Sequence, residues 1–251
     1  MKKIKQDHKS METPLLPLQV ELRNMANASR AEQSQRYFKT GPGEYGEGDL
    51  FIGLTMPQQR TLAKKYVRSP LSELSTLVNS LWHEERMIGF LILLFKYQKS
   101  KTEESQVPLI DFLITHRKQL NHWDLVDVII PGTLGDWLIK KTDQQQLLFK
   151  WIFSKNLWER RIAMLATAPL IKQGEFTQTL SLCEIQLNLK APIHDLMQKA
   201  SGWMLREIGK KNRACLEQFL DLWATQMPRT MLRYAIEKLP ESQRQMYLSR
   251  K

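Results

Sequence analysis

At 251 residues, with 42% apolar and 25% charged side chains, the chain is long enough to bury a large core. Its longest apolar run, Met87 to Phe95, is far too short to span a bilayer, and the N-terminus, Met1-Lys2-Lys3-Ile4-Lys5, lacks the apolar segment of a secretory signal. A formal net charge of +11 favours a polyanionic partner, with nucleic acid ahead of an anionic membrane, because no amphipathic helix carries a dense Lys/Arg face.

In chain order, residues 1–12 read as a solvated tail and 13–251 as a single domain. Leu15 to Met25 is a passable first helix after Pro14, and Ala28 to Phe38 a second, with Asn27 as its N-cap and Tyr37 and Phe38 at its end. Gly41-Pro42-Gly43-Glu44-Tyr45-Gly46-Glu47-Gly48-Asp49 is a loop by composition. No GK[ST] follows it and its charges are acidic, which argues against a phosphate cradle. Phe51 to Leu54 is a short apolar run, and Pro57 opens a helix carrying Arg60. From Ser69 onward strand signal is almost absent. Helical periodicity covers about 70–82, 84–98, 106–117, 122–130, 132–141, 143–154, 157–171, 175–189, 193–210, 213–226 and 229–249, the last broken near Pro240. The pattern predicts an all-α protein. Cys183 and Cys215 lie in apolar helical contexts and read as core residues rather than a disulfide, which fits a reducing compartment, most simply the cytoplasm.

Within the helix 122–130, Asn121 is a good N-cap and Pro131 a stop. Leu125, Val128 and Ile129 mark one apolar side, while Trp123 and Asp127, at i and i+4, project together from another with Asp124 beside them. The plainer reading makes Trp123 core and Asp127 a solvated or ion-paired side chain. The sharper one is a carboxylate held beside an indole at a site.

The helices also repeat. Leu81-Trp82-His83-Glu84-Glu85-Arg86 echoes Leu157-Trp158-Glu159-Arg160-Arg161, and Arg86, the Trp123–Asp127 helix, Arg161, Lys199 and Arg233 recur at intervals of roughly 34–40 residues. That period suits a HEAT- or armadillo-like α-helical solenoid with a basic concave groove. Arg60, Arg86, Arg161, Lys199 and Arg206 are the candidate phosphate contacts. Alone, each is an ordinary surface charge; the shared register favours the groove.

No C-x-x-C or H-x-x-x-H pair, G-x-S-x-G elbow, kinase set or dinucleotide fingerprint is present, so neither a metal nor a cofactor is expected. Trp82, Trp137, Trp151, Trp158 and Trp223 read as packing residues. Trp203 differs, because Ala200-Ser201-Gly202 would let a backbone or a ligand approach closely. Lys199, Trp203 and Arg206 also form a basic–aromatic–basic edge suited to nucleic acid, although a core tryptophan between solvated cations fits the same spacing.

The glycine-rich loop 41–49 followed by Phe51-Ile52-Gly53, then Trp123-Asp124-Leu125-Val126-Asp127, Asn156-Leu157-Trp158-Glu159-Arg160-Arg161-Ile162-Ala163 and Lys199-Ala200-Ser201-Gly202-Trp203-Met204-Leu205-Arg206-Glu207, together resemble the AlkD-like DNA alkylation repair glycosylases in order and separation. The resemblance implies a HEAT-like superhelix that clamps duplex DNA. It implies hydrolysis of the N-glycosidic bond of cationic alkylated purines such as 3-methyladenine and 7-methylguanine, leaving an abasic site, without extruding the base into a pocket. By the same resemblance Asp127 is the catalytic carboxylate, Trp123 and Trp203 flank the lesion, Arg161 is a groove arginine, and Tyr37 is an N-terminal aromatic facing the site. His122 is a position for which the resemblance gives no firm expectation, and Ala168-Pro169 breaks the helix after Arg161.

The chemistry suits these residues independently. A cationic purine leaves without protonation, so one carboxylate can stabilise the oxocarbenium-like sugar and place the water, where ordinary glycosidases need a pair. Indoles favour a cationic base by roughly 0.5–2 kcal/mol. The expectation is a monomeric, metal-free, cofactor-free glycosylase acting on alkylated double-stranded DNA, cytoplasmic and nucleoid-associated when bound, with no membrane partner. Its rivals are a non-catalytic HEAT-like module reading DNA or RNA structure and a protein–protein scaffold.

Overall fold

Helices follow one another through the computed structural model, which describes residues 14–189 and 191–250; the expected tail, 1–12, lies outside the described residues. They are α1 (Pro17–Asn24), α2 (Ala28–Tyr37), α3 (Met56–Lys65), α4 (Leu71–Val78), α5 (His83–Lys99), α6 (Glu103–Thr115) and α7 (Trp123–Ile129). A π-helical turn, Pro131–Gly135, leads into α8 (Asp136–Lys140). There follow α9 (Gln146–Ile152), α10 (Leu157–Leu165), α11 (Ala168–Gln173), α12 (Thr177–Asn188), α13 (Asp195–Lys211), α14 (Arg213–Trp223), α15 (Arg229–Ala235) and α16 (Glu241–Ser249). Among the described residues there is no strand, only a bridge between Leu50 and Trp82. The fold is all-α.

Local chemistry starts many of these helices. Asn27, Asn156 and Asn212 each accept a backbone N–H from the first turn of α2, α10 and α14. Thr102 does the same for α6, which therefore begins at Glu103, a turn earlier than Pro108 suggested. The N–H that Pro108 lacks would have bonded only the carbonyl of Glu104, near the exposed helix start. At the other end of the chain, the expected helix 229–249 stops at Ala235, well before Pro240, and resumes at Glu241.

Helices α5, α7, α10, α13 and α15 pack successively side by side. Helices α3, α4 and α6 lie against α5, α9 against α10, and α14 against α13, giving a solenoid-like arrangement. One buried apolar cluster runs from Leu18 to Tyr247. Trp137, Trp151 and Trp158 are buried in it, while Trp82 and Trp223 pack half-buried at its edge. Cys183 is buried, Cys215 half-buried, and both are free thiols. No described helix is long and apolar enough to cross a membrane.

The small residues before Trp203 serve the packing. A Cβ on Gly202 would lie 2.5 Å from both the Met231 carbonyl and Tyr234 Cβ, so what approaches is the backbone of α15. Gly46 has a similar reason: a Cβ there would stand 2.6 Å from the Phe38 carbonyl and 3.4 Å from the His122 ring. That glycine lets the loop fold flat against the start of α7.

Candidate active site

One cavity of about 450 Å³ opens where α7, α10 and α13 meet. Trp123 and Asp127 reach it from one side of α7, as their i, i+4 spacing requires. Arg161 enters from α10, Leu196, Lys199, Trp203 and Arg206 from α13, and Tyr234 from α15. Tyr37, at the end of α2, and Tyr45, in the glycine-rich loop, complete the wall.

The carboxylate is held rigidly. Arg161 donates from Nε to Asp127 Oδ1 and from Nη2 to Oδ2, each at 2.8 Å, and its Nη1 donates to the Leu196 carbonyl. Such a fork fixes the plane of the carboxylate as well as its position. Each oxygen accepts one bond from the arginine and keeps capacity for another. Burial pushes the Asp127 carboxyl above its ordinary range; the hydrogen bonds and charge of Arg161 oppose the rise without cancelling it, and the charge of Asp124 adds to it. The result is an anion that gains by meeting positive charge.

Around it the aromatics form a partial box. The Tyr37 and Trp123 rings meet edge to face at 6.1 Å, and Phe38 supports Trp123 from behind at 5.5 Å. Trp203 also lines the cavity, its Nε1 donating to Glu207 at 3.1 Å. Lys199 and Arg206 bring positive charge to the rim, paired with Asp195 at 2.7 Å and with Glu237.

Seven of the residues singled out from sequence thus meet here: Tyr37, Trp123, Asp127, Arg161, Lys199, Trp203 and Arg206. Arg60, half-buried on α3, does not line the cavity. Arg86 requires a correction: at 2% exposure and bonded to Asp49 at 2.6 Å, it has no route to a phosphate. Arg161 needs a partial one, since it is 4% exposed with its donors committed to Asp127 and Leu196. It holds the carboxylate. Arg86 and Arg161, two members of the series that shared a register, are interior ion-pair positions. Of that series, Lys199 and Arg233 remain accessible.

Asp124 points away from the cavity, into a buried cluster with His83 and His122. Tyr45 and Tyr234 were not anticipated as site residues. Tyr45 sits inside the loop that carried the resemblance, and Tyr234 directly follows Arg233, so both lay one step from a signal. Among the described residues, no group of three or more His, Cys, Asp or Glu side chains is arranged to hold a metal ion.

With this geometry in hand, comparison with known proteins is decisive. The family model for DNA alkylation repair enzymes matches residues 18–239. The chain belongs to the DNA alkylation repair enzyme family. Its role therefore lies in alkylation repair, with DNA as the substrate polymer. Among solved structures, it is similar to one described as a predicted DNA alkylation repair enzyme from Enterococcus faecalis, at a TM-score of 0.65 and 18% identity. That likeness covers 86% of this chain and 97% of the other, and it speaks to the fold alone. Comparison with curated proteins gave no match.

Proposed function

We propose that this member of the family is a monofunctional DNA glycosylase. It would hydrolyse the N-glycosidic bond of cationic alkylated purines, 3-methyladenine and 7-methylguanine, in duplex DNA and leave an abasic site. The observation that carries the reading is the Asp127 carboxylate, clamped by Arg161 in an open cavity that Trp123 and Trp203 also line. As the cationic base departs, positive charge develops on the sugar, and a preorganised anion stabilises it most when its own solvation is poor. The same carboxylate can accept a hydrogen bond from the attacking water and orient it. Trp123, Trp203 and the three tyrosines offer π faces to the base cation, and Lys199 and Arg206 suit flanking phosphates. The protein works as a monomer in the cytoplasm, at the nucleoid when bound.

One observation favours a non-catalytic reading: Asp127 and Arg161 would form the same fork as a purely structural pair. Incubation with duplex DNA carrying 7-methylguanine, followed by abasic-site detection, tests between them. Base release that survives EDTA and leaves the strand unnicked is the expected result. No release above the spontaneous rate would contradict the proposal, and a borohydride-trapped adduct would point to a lyase instead.

A further inference from the structure

Behind α7, five ionisable side chains meet with almost no exposure: His122 at 0%, His83 and Arg86 at 2%, Asp49 at 7% and Asp124 at 9%. His83 Nδ1 lies 2.9 Å from Asp49 Oδ2, and its Nε2 lies 2.9 Å from Asp124 Oδ2. Arg86 donates to the other Asp49 oxygen. His122 Nδ1 lies 3.0 Å from Asp124 Oδ1, which also accepts the Leu125 N–H, and His122 Nε2 donates to the Phe38 carbonyl at 3.1 Å.

Burying this many charges is not an economical way to hold helices together, since well-packed apolar side chains of similar shape do so as well or better. The cluster does something packing alone does not: it ties three segments by directed bonds. Asp49 and the Phe38 carbonyl belong to the loop, His83 and Arg86 to α5, and Asp124 and His122 to the start of α7. Both ends of the chain of contacts reach the cavity wall. Phe38 follows Tyr37 and packs on Trp123, and His122 directly precedes Trp123.

Both nitrogens of His83 face carboxylate oxygens, so both must donate. Only the imidazolium can bridge them; a neutral ring would set a lone pair against an anion at 2.9 Å. We propose that His83, as the cation bridging Asp49 and Asp124, is a positioning residue that latches loop 38–50 onto α7. It thereby sets the Tyr37–Trp123 wall of the cavity. The groups facing it are Asp49 from the loop, Asp124 and His122 from α7, and Arg86 from its own helix; its remaining ring neighbours are Phe38 and Phe51. Burial opposes the charge, but Asp124 and the two hydrogen bonds override it and raise the imidazole to about 9. Loss of that proton breaks one of the two bridges and loosens the loop on α7, where the His122–Phe38 bond and the Phe38–Trp123 packing remain.

The kinetic half of the test rests on the glycosylase reading, and the spectroscopic half does not. Protein carrying ¹⁵N-labelled histidine and tryptophan is titrated by NMR from about pH 6 to 10. The His83 ring and the Trp123 indole N–H should share one midpoint near 9. In Asp49→Asn both midpoints should fall together, because His83 loses a counter-charge. His83→Gln keeps one donor and cannot titrate. It should abolish the alkaline transition of Trp123, slow excision at neutral pH by roughly tenfold through misplacement of the wall, and flatten the alkaline limb of the rate profile. A merely structural His83 would lower the melting temperature and leave the rate and pH profile of the folded protein unchanged. The proposal is overturned if Trp123 titrates independently of His83, or if His83→Gln keeps the wild-type profile. Should His83→Gln fail to fold, the Asp49→Asn shift decides. Coincident midpoints in a protein that excises nothing would sink the glycosylase reading and leave the positioning role standing.

Discussion

Asp124 and Asp127 stand one turn apart on the same seven-residue helix, and their surroundings drive them in opposite directions. Burial acts to raise both. At Asp124 it is overcome by the charge of His83 and by hydrogen bonds from His122 and His83, which hold the carboxyl well below the ordinary range. At Asp127 burial wins despite the Arg161 fork, and the carboxyl is raised. One aspartate is a satisfied interior anion joining two histidines. The other is an under-solvated anion at the edge of an open cavity. Identity and sequence neighbourhood are almost the same, so the difference in role comes from what faces each side chain.

The comparison breaks hardest at Asp124. Asp124→Asn leaves His83 and His122 against an amide and strips the buried network of an anion. Unfolding in urea should show a loss of about 3–5 kcal/mol. A loss below about 1 kcal/mol would mean that the interior cluster is not holding the start of α7.

Next in size is alkaline stability. The His83 pKa is raised above its unfolded value, so its contribution is fully present below pH 6.5 and drains away as pH climbs through about 9. The amount is about 3 kcal/mol, and His83→Gln should remove that slope from the stability profile. Asp124 runs the other way: its contribution holds above its unfolded pKa and is lost as pH falls through its depressed value.

The tryptophans of the cavity yield smaller energies. Trp123→Ala and Trp203→Ala should each cost about 0.5–2 kcal/mol of transition-state stabilisation, and more for a cationic lesion than for a neutral base of similar shape. Equal losses on both would remove the cation–π argument. Smallest is the rim. Lys199→Gln should lower the salt slope of DNA binding by roughly 0.9 if it meets one phosphate. Arg161→Gln should leave that slope unchanged, because its guanidinium is spent on Asp127; a flattened slope would restore Arg161 as a backbone contact.

Much of this was legible in the sequence because it is local. Helical periods, the i, i+4 pairing of Trp123 with Asp127, and the Lys199–Trp203–Arg206 spacing depend on residues within a turn or two of each other. The fate of Arg86 was not legible, since what removes it from any groove is Asp49, 37 positions earlier in a loop without periodicity. The same holds for Arg161, whose partner lies 34 positions away, and for His83, which bridges two segments at once. Register along a solenoid places side chains on a face. Whether such a side chain is free or already paired depends on contacts that no period encodes.

Single-turnover excision of 7-methylguanine by wild type and Asp127→Asn, with melting temperatures taken on the same preparations, tests the central claim most directly. Asparagine keeps the shape but weakens the bond to Arg161, so some stability is lost on any account, and the rate per folded molecule decides. The account predicts a fall of about two orders of magnitude or more, the loss of roughly 3–4 kcal/mol of charge stabilisation, with DNA affinity unchanged or higher. Excision at the wild-type rate by folded Asp127→Asn would reduce Asp127 to a structural partner of Arg161 and contradict the catalytic assignment.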